Sequence, residues 1–504
     1  MFTNGKSYQY PLVAIGDSLS QGFKNGGIYR TDLSFPAMLA RAMGVEKQFE
    51  IPSFTAQTGI PINMEMLVRG LSDEVGDTLS WHEYMRAGRH LFRTLRRIKS
   101  YWNGSMKSLH VERHTPYHNQ SIWGVAISDS WLLDDLYAKE HIRHQKDQYS
   151  VFSVLPDHAM YTTARMVLNP CFAVEREKRN MLDNLEELHT QGGVENLICC
   201  IGHNNIVGAV TNLKLVFSDG DDLNTAHGER NCTIFRPEHF EDELRILYQK
   251  IAKLNIPRVF VPTLPYLTIP PAIRGLNLDR SAPKGHYFDY YTRFWIWDAD
   301  FNPDRHPHLT RDEAILIDQH IDQYNATICS LAKEFGFHSV PVGAHVQAVA
   351  RRRLGAEQTR PFPPDFLGAL RRNPNTSYLV DDQGRTRIST DYFRLCDGSD
   401  KIDRGGIFSL DGLHPSTIGY GLIANIYKRT MSKAGVRFEH PLDWDHIIES
   451  ETLVTHPPVI LKDLRRLLRY LAMGRSERFS RIGQNVLQQV LEQFSTAAEV
   501  ETKE

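Results

Sequence analysis

The 504-residue chain has no apolar run near the roughly 20 residues needed to span a bilayer. It has no excess of one charge either. The formal net charge of −2 leaves no basis for a broad nucleic-acid footprint. There is no CxxC pair: Cys171, Cys199, Cys200, Cys232, Cys329 and Cys396 make no disulfide or zinc framework. They read as small core residues of a reduced, cytoplasmic protein, with adjacent Cys199 and Cys200 on opposite faces of one strand. HExxH, Walker A and GxGxxG patterns are missing, so zinc-peptidase, P-loop and dinucleotide readings fall away. The opening MFTNGKSYQYPLVAIGDS lacks the apolar stretch of a signal peptide. No cofactor or resident metal is expected, and there is no internal repeat.

What is present starts with LVAIGDSLSQG (12–22). Four apolar residues, Leu12 to Ile15, read as a buried strand of a parallel sheet. Gly16 allows a sharp turn, leaving Ser18 at the carboxyl end of the strand, where open α/β sheets place ligands. Ser18 is a helix cap or a nucleophile on this evidence. The pattern of strand, turn and helix then recurs. SFPAMLARAMG (34–44) reads as a helix stopped by Gly44. A strand at about 119–123 ends at Gly124, before a helix carrying Leu132, Leu133 and Leu136. LICCI (197–201) is the clearest buried strand, and IPRVFVP and FHSVPVG follow, separated by long helical patterns. Such alternation, about five times, predicts a doubly wound parallel sheet.

Several stretches stand outside that alternation. Residues 81–102 form a basic amphipathic pattern, with Arg86, Arg89, Arg93, Arg96 and Arg97 opposite Leu91, Leu95, Ile98 and Trp102. It fits a lid, a membrane-surface helix, or a helix packed on its own domain with a solvated basic face. Residues 350–403 are Pro- and Arg-rich and irregular, with a hairpin expected at YLVDDQGRTRIST. Beyond His440 come two helical patterns, ILKDLRRLLRYLAMG and RIGQNVLQQVLEQF. WDADFNPDRHPH gathers Asp298, Asp300, Asp304, His306 and His308; a solvated turn is the better reading than a cation site. We therefore expect a catalytic domain over 1–435, interrupted by insertions at about 60–115 and 350–403, and a helical extension over 436–504.

DGLHP supplies what Ser18 lacks. His414 can accept the Ser18 proton, and Asp411, three residues earlier, can orient the ring. Oxyanion donors can come from the Ser18 backbone N–H, from Gly124 and from the Asn204 amide in GHNN. With these residues in order, the chain resembles the SGNH/GDSL hydrolase family. GDSLS (16–20), YHNQSIWG (117–124), IGHNN (201–205) and DGLHPSTIGYGLIA (411–424) resemble four of its blocks. The resemblance covers the sheet and its helices, about half of the chain. It implies a three-layer α/β/α sandwich with a five-stranded, mostly parallel sheet. It also implies a Ser18–His414–Asp411 triad, an oxyanion hole of Ser18, Gly124 and Asn204, and metal-free serine hydrolysis of carboxylic esters. Two positions depart from the pattern: Asn205 stands where the third block usually has Asp, and bulky Trp123 precedes Gly124. The expected activity is that of an esterase or lipase on a small-molecule or lipid ester, with peripheral lipid contact allowed. An acyltransferase using the same triad, or a silent lipid- or partner-binding module, are the alternatives. Acyl-chain length and oligomeric state are not legible.

Overall fold

In the computed structural model of the protein, which describes residues 8–54, 58–104, 109–144, 155–226, 228–278, 287–350, 361–396, 400–464 and 466, the centre is a four-stranded parallel sheet. Its strands are β1 (Val13–Gly16), β2 (Asn196–Cys200), β3 (Arg258–Pro262) and β4 (His338–Val340), paired in that order. Ile15 lies opposite Cys199, Ile198 opposite Phe260, and Val261 opposite Ser339. Successive side chains of a strand point to opposite faces. Val13, Ile15, Leu197, Cys199, Val259 and Val261 accordingly join one core, while Ala14, Ile198, Cys200, Phe260 and Val340 join another. The six cysteines are free thiols, and Cys199 and Cys200 fall on opposite faces as expected.

The segment expected as a strand at 119–123 is not one. It runs parallel beside β1 through a single bridge, Ala14 to Asn119, and three backbone bonds. Ala14 N–H donates to His118 O (2.8 Å), Gln120 N–H to Ala14 O (2.9 Å) and Ile122 N–H to Gly16 O (3.0 Å). Its polar side chains turn to local partners instead of extending the ladder: Asn119 Nδ2 donates to Ser20 O and Ser121 Oγ to Ser20 Oγ. The helix expected beyond it is two short ones, Asp129–Leu132 and Asp135–His144.

Among the helices are, in chain order, α1 (Phe35–Ala42), α2 (Met64–Val75), α3 (Tyr84–Trp102), α4 (Met181–Gly192), α5 (Pro237–Ala252), α6 (Arg311–Phe335), α7 (Val342–Ala348), α8 (Pro364–Arg372) and α9 (Thr417–Lys433). Their ends follow the local sequence. Asn180 and Asp183 cap α4 reciprocally, Thr310 and Glu313 do the same for α6, and Pro237 opens α5. α4, α5 and α6 contribute to the first core, where Phe240 stacks on Tyr324 at 3.9 Å. α1, α8 and α9 contribute to the second, where Phe35 stacks on Tyr427 at 4.7 Å.

The segments outside the alternation are built into these cores. α3 buries Ala87, Leu95, Ile98 and Trp102 and leaves Arg89, Arg93, Arg96 and Arg97 exposed. Trp81 is 82% exposed and falls outside the buried stripe. The described part of 350–403 is less irregular than expected. It holds α8, the predicted turn (Val380 bridged to Thr386), and short strands at Ile388–Ser389, Arg394–Leu395 and Ile402–Gly406. Past His440, Trp444, Ile447 and Ile448 pack into the second core. The last predicted helix, 481–494, and most of the one before it lie outside the described residues. No helix among the described residues is long and apolar enough to cross a membrane.

Candidate active site

Each of the four strands runs into a loop that lines one cavity of about 800 Å³. Ser18 and Leu19 follow β1, His203 and Asn204 follow β2, Pro265 and Leu267 follow β3, and Val342 follows β4. The cavity therefore sits at the carboxyl edge of the sheet, where backbone groups and helix starts are turned toward a ligand. Gly124, Leu413 and His414 also line it.

The turn at Ser18 depends on Gly16. Its φ of +154° already disfavours a side chain, and a Cβ there would lie 2.1 Å from Cys200 O. Asp17 then caps the short helix Ser18–Gln21, its Oδ1 accepting from Leu19 N–H at 3.0 Å. Ser18 is thus the first residue of a helix, with its hydroxyl beside the imidazole of His414: Ser18 Oγ and His414 Nε2 are 3.0 Å apart.

His414 Nδ1 lies 3.3 Å from Asp411 Oδ2. That is long for a hydrogen bond. Asp411 Oδ1 accepts from the backbone N–H of Leu413 and of His414, both at 2.8 Å, and Oδ2 accepts from Gly26 N–H at 3.0 Å. Burial alone would raise the Asp411 pKa. The charge of His414 and the hydrogen bonds from His414 and Gly26 outweigh it and hold the carboxyl below the usual carboxylate range. Phe23 packs against the His414 ring at 4.4 Å and against Trp123 at 5.4 Å.

The loop bearing Asp411 is fastened to the turn after Ser18 by a series of bonds across the chain. Lys24 Nζ donates to Thr417 Oγ1 (2.7 Å), Asn25 N–H to Ser409 Oγ (2.9 Å) and Leu410 N–H to Asn25 Oδ1 (2.9 Å). Asn25 sits at φ +52°, a left-handed conformation that asparagine tolerates better than most residues. Sequence reasoning missed this fastening, because its partners are some 385 positions apart.

Gly124, at φ +82°, and Asn204 both border the cavity with Ser18. The Asn204 amide donates to Val125 O at 2.7 Å, which ties the loop after β2 to the segment after Gly124. Trp123 is buried and also lines the cavity; its indole N–H donates to Thr163 Oγ1 and its backbone N–H to Gln21 Oε1. Asn205 braces the loop. Its Oδ1 accepts from Ile127 N–H (3.1 Å) and its Nδ2 donates to buried Glu243 (3.2 Å).

Another pair absent from the sequence reading is Asp17 and His203. His203 Nδ1 lies 2.8 Å from Asp17 Oδ2, joining the residue before Ser18 to the residue before Asn204. With Cys200 they are the one group of three metal-ligating side chains brought together among the described residues, their ligand atoms within 4.8 Å. The carboxylate and imidazole are already bonded to each other. Burial, with the Asp17 charge, pushes the Cys200 thiol far up, against the thiolate a metal needs. The WDADFNPDRHPH loop is a hydrogen-bonded turn in which Asn302 N–H donates to His306 Nδ1 and Asp298 pairs with Arg274.

From the reactive end the cavity runs along α9, past Gly419, Leu422, Ile423 and Ile426 to Arg429. Ten residues at 1.5 Å each give that apolar trough about 15 Å of length. Its other wall is Val346 and Val349, at and just past the end of α7, with Phe362 and Pro364 of the PFPP stretch. No described residue of 60–115 lines the cavity.

No protein-family profile matches the chain, and no curated protein matches it. Among solved structures, a "putative GDSL-like lipase" from Parabacteroides merdae ATCC 43184 aligns over 86% of this chain and 99% of its own. The identity is 11% and the TM-score 0.29, too low for a shared fold to be inferred from it.

Proposed function

We propose that the protein is a serine hydrolase of carboxylic esters, of the SGNH type, with the three-layer architecture and fifth strand position which that implies. The observation that carries this reading is the 3.0 Å contact of Ser18 Oγ with His414 Nε2 on a cavity wall, with buried Asp411 behind the ring. Ser18 Oγ attacks the ester carbonyl carbon while His414 Nε2 takes its proton. The backbone N–H groups of Ser18 and Gly124 and the Asn204 amide hold the oxyanion. The tetrahedral centre collapses, the carbon–oxygen bond to the alcohol breaks, and His414 returns the proton to the departing oxygen. Water, deprotonated by His414, then attacks the acyl-enzyme, and the carboxylic acid leaves as Ser18 regains its proton. Asp411 keeps the hydrogen of His414 on Nδ1 and stabilises the imidazolium. The apolar trough along α9 accepts the acyl chain.

The test is labelling and turnover together. A fluorophosphonate probe should modify Ser18, p-nitrophenyl butyrate should be hydrolysed, and Ser18→Ala should lose both. Equal turnover by the Ser18→Ala protein rejects the assignment.

A further inference from the structure

Ser18 is flanked by two Asp–His pairs, and the proposed mechanism uses one. In the first, Asp411 faces His414 Nδ1, and His414 Nε2 meets Ser18 Oγ. In the second, Asp17 faces His203 Nδ1 at 2.8 Å, and His203 borders the same cavity. Asp17 is completely buried, its other oxygen taken by Leu19 N–H. A carboxylate oxygen is the natural acceptor for a hydrogen on Nδ1, which leaves Nε2 as the ring nitrogen available to a further partner. That Nε2 is buried and has no hydrogen-bond partner. His203 is itself 92% buried, being 8% exposed. Leaving a buried acceptor unmade is costly, and such atoms in a native structure call for a partner.

We propose that His203 is a specificity-determining residue whose Nε2 accepts a hydrogen bond from a substrate hydroxyl next to the scissile ester. It rests on the reading of Ser18 as nucleophile. An anionic group does not suit the position, because the Asp17 carboxylate lies just across the ring. An alkyl group would leave Nε2 unpaired. A hydroxyl satisfies it, and sites built to bind a hydroxyl discriminate against the analogue that lacks one. His203 immediately precedes Asn204, so the hydroxyl it reads belongs near the reacting carbonyl. It can be carried by the alcohol, as in a polyol or glycoside ester, or by the acyl group, as in a 2-hydroxy acid ester.

Two substrate pairs separate these sources: glycerol 1-monobutyrate against propyl butyrate, and methyl 2-hydroxybutyrate against methyl butyrate. The intact enzyme should favour the hydroxylated member of one pair by about tenfold in kcat/KM, about the worth of one hydrogen bond. His203→Asn keeps a donor near the Nδ1 position for Asp17 but removes the acceptor, and its ratio should fall to about one. His203→Gln places an amide near the Nε2 position and should retain part of the preference, which a purely structural role for His203 would not produce. Wild-type ratios near one in both pairs, or a preference unchanged in His203→Asn, overturn the proposal. If Ser18 is still labelled by fluorophosphonate in that case, the hydrolase reading stands. Absence of labelling removes both.

Discussion

Two segments lie outside the motif blocks, and they serve the site from opposite sides. The described residues of 60–115, with the Arg-rich α3, contribute nothing to the cavity wall but are tied to the loop that bears Asp411. Ile60–Pro61 pairs with Gly27–Ile28, and Met64 N–H donates to Asn25 O at 2.8 Å. Asn25 in turn holds Leu410, next to Asp411. Residues 361–365 form no bond to Ser18, Asp411 or His414 but face the trough through Phe362 and Pro364. Residues 60–64 thus act as a buttress, while a proline-rich stretch without periodicity lines the cavity. Proline suits that place: it presents an apolar face from an irregular backbone without a donor to satisfy.

If the division holds, changes on the buttress side act on kcat or stability and changes in the trough act on substrate choice. Ser18→Ala sets the floor: ester turnover should drop by about 10³-fold or more, leaving only what binding and the oxyanion donors supply. Asp411→Asn should follow, with kcat down about 10²–10⁴-fold as the tautomer control on His414 is lost. A fall confined to KM would contradict the proposed role of Asp411 behind the His414 ring.

The trough comes next. Ile426→Trp should lower kcat/KM for p-nitrophenyl palmitate about tenfold more than for the acetate, and Phe362→Ala should shift the chain-length preference in a measurable direction. An acyl-length profile identical to wild type in both variants breaks the comparison.

The acid limb of stability is a smaller, separate effect. Asp411 has a pKa lowered in the folded state relative to the unfolded chain. The unfolded chain thus takes up the proton first as pH falls. The stability from this group is complete above the ordinary carboxylate range and is lost as pH drops through the depressed value. Thermal melts should show Asp411→Asn with a flatter decline than wild type below about pH 4. Least affected in catalysis should be Leu95→Ala on α3. Emptying this buried position should cost about 2–5 kcal/mol in denaturant unfolding while turnover per folded molecule stays within about twofold.

Much of the sheet was legible because its strands are short unbroken apolar runs: Val13 to Ile15 and Leu197 to Cys200 appear as read, down to the opposite faces of Cys199 and Cys200. The helix stop at Gly44 was legible from glycine alone, and the residue adopts positive φ. The stretch after His118 misled, because Asn119 and Ser121 spend their side chains on Ser20 instead of the ladder. Asp411 and His414 stood out because their spacing is local, and Ser18 because it follows an apolar strand and a glycine turn; the 3.0 Å meeting of Ser18 with His414 spans 396 positions. The Asp17–His203 bond joins residues 186 positions apart, and no periodicity encodes such a meeting. For α3, amphipathicity announced a buried stripe but not what would cover it. It packs against its own core.

The fastening of residues 24–26 to residues 409–417 has a consequence in time. Ser18 and His414 are 396 positions apart. At about 5–20 residues per second, a ribosome needs roughly 20–80 s to pass from one to the other. Through that interval the nascent chain carries Ser18 without His414, and the Asn25–Gly26 turn waits without Ser409 and Asp411. The contact of hydroxyl with imidazole then belongs only to chain made past residue 414: a product of synthesis interrupted before it cannot bring the two together.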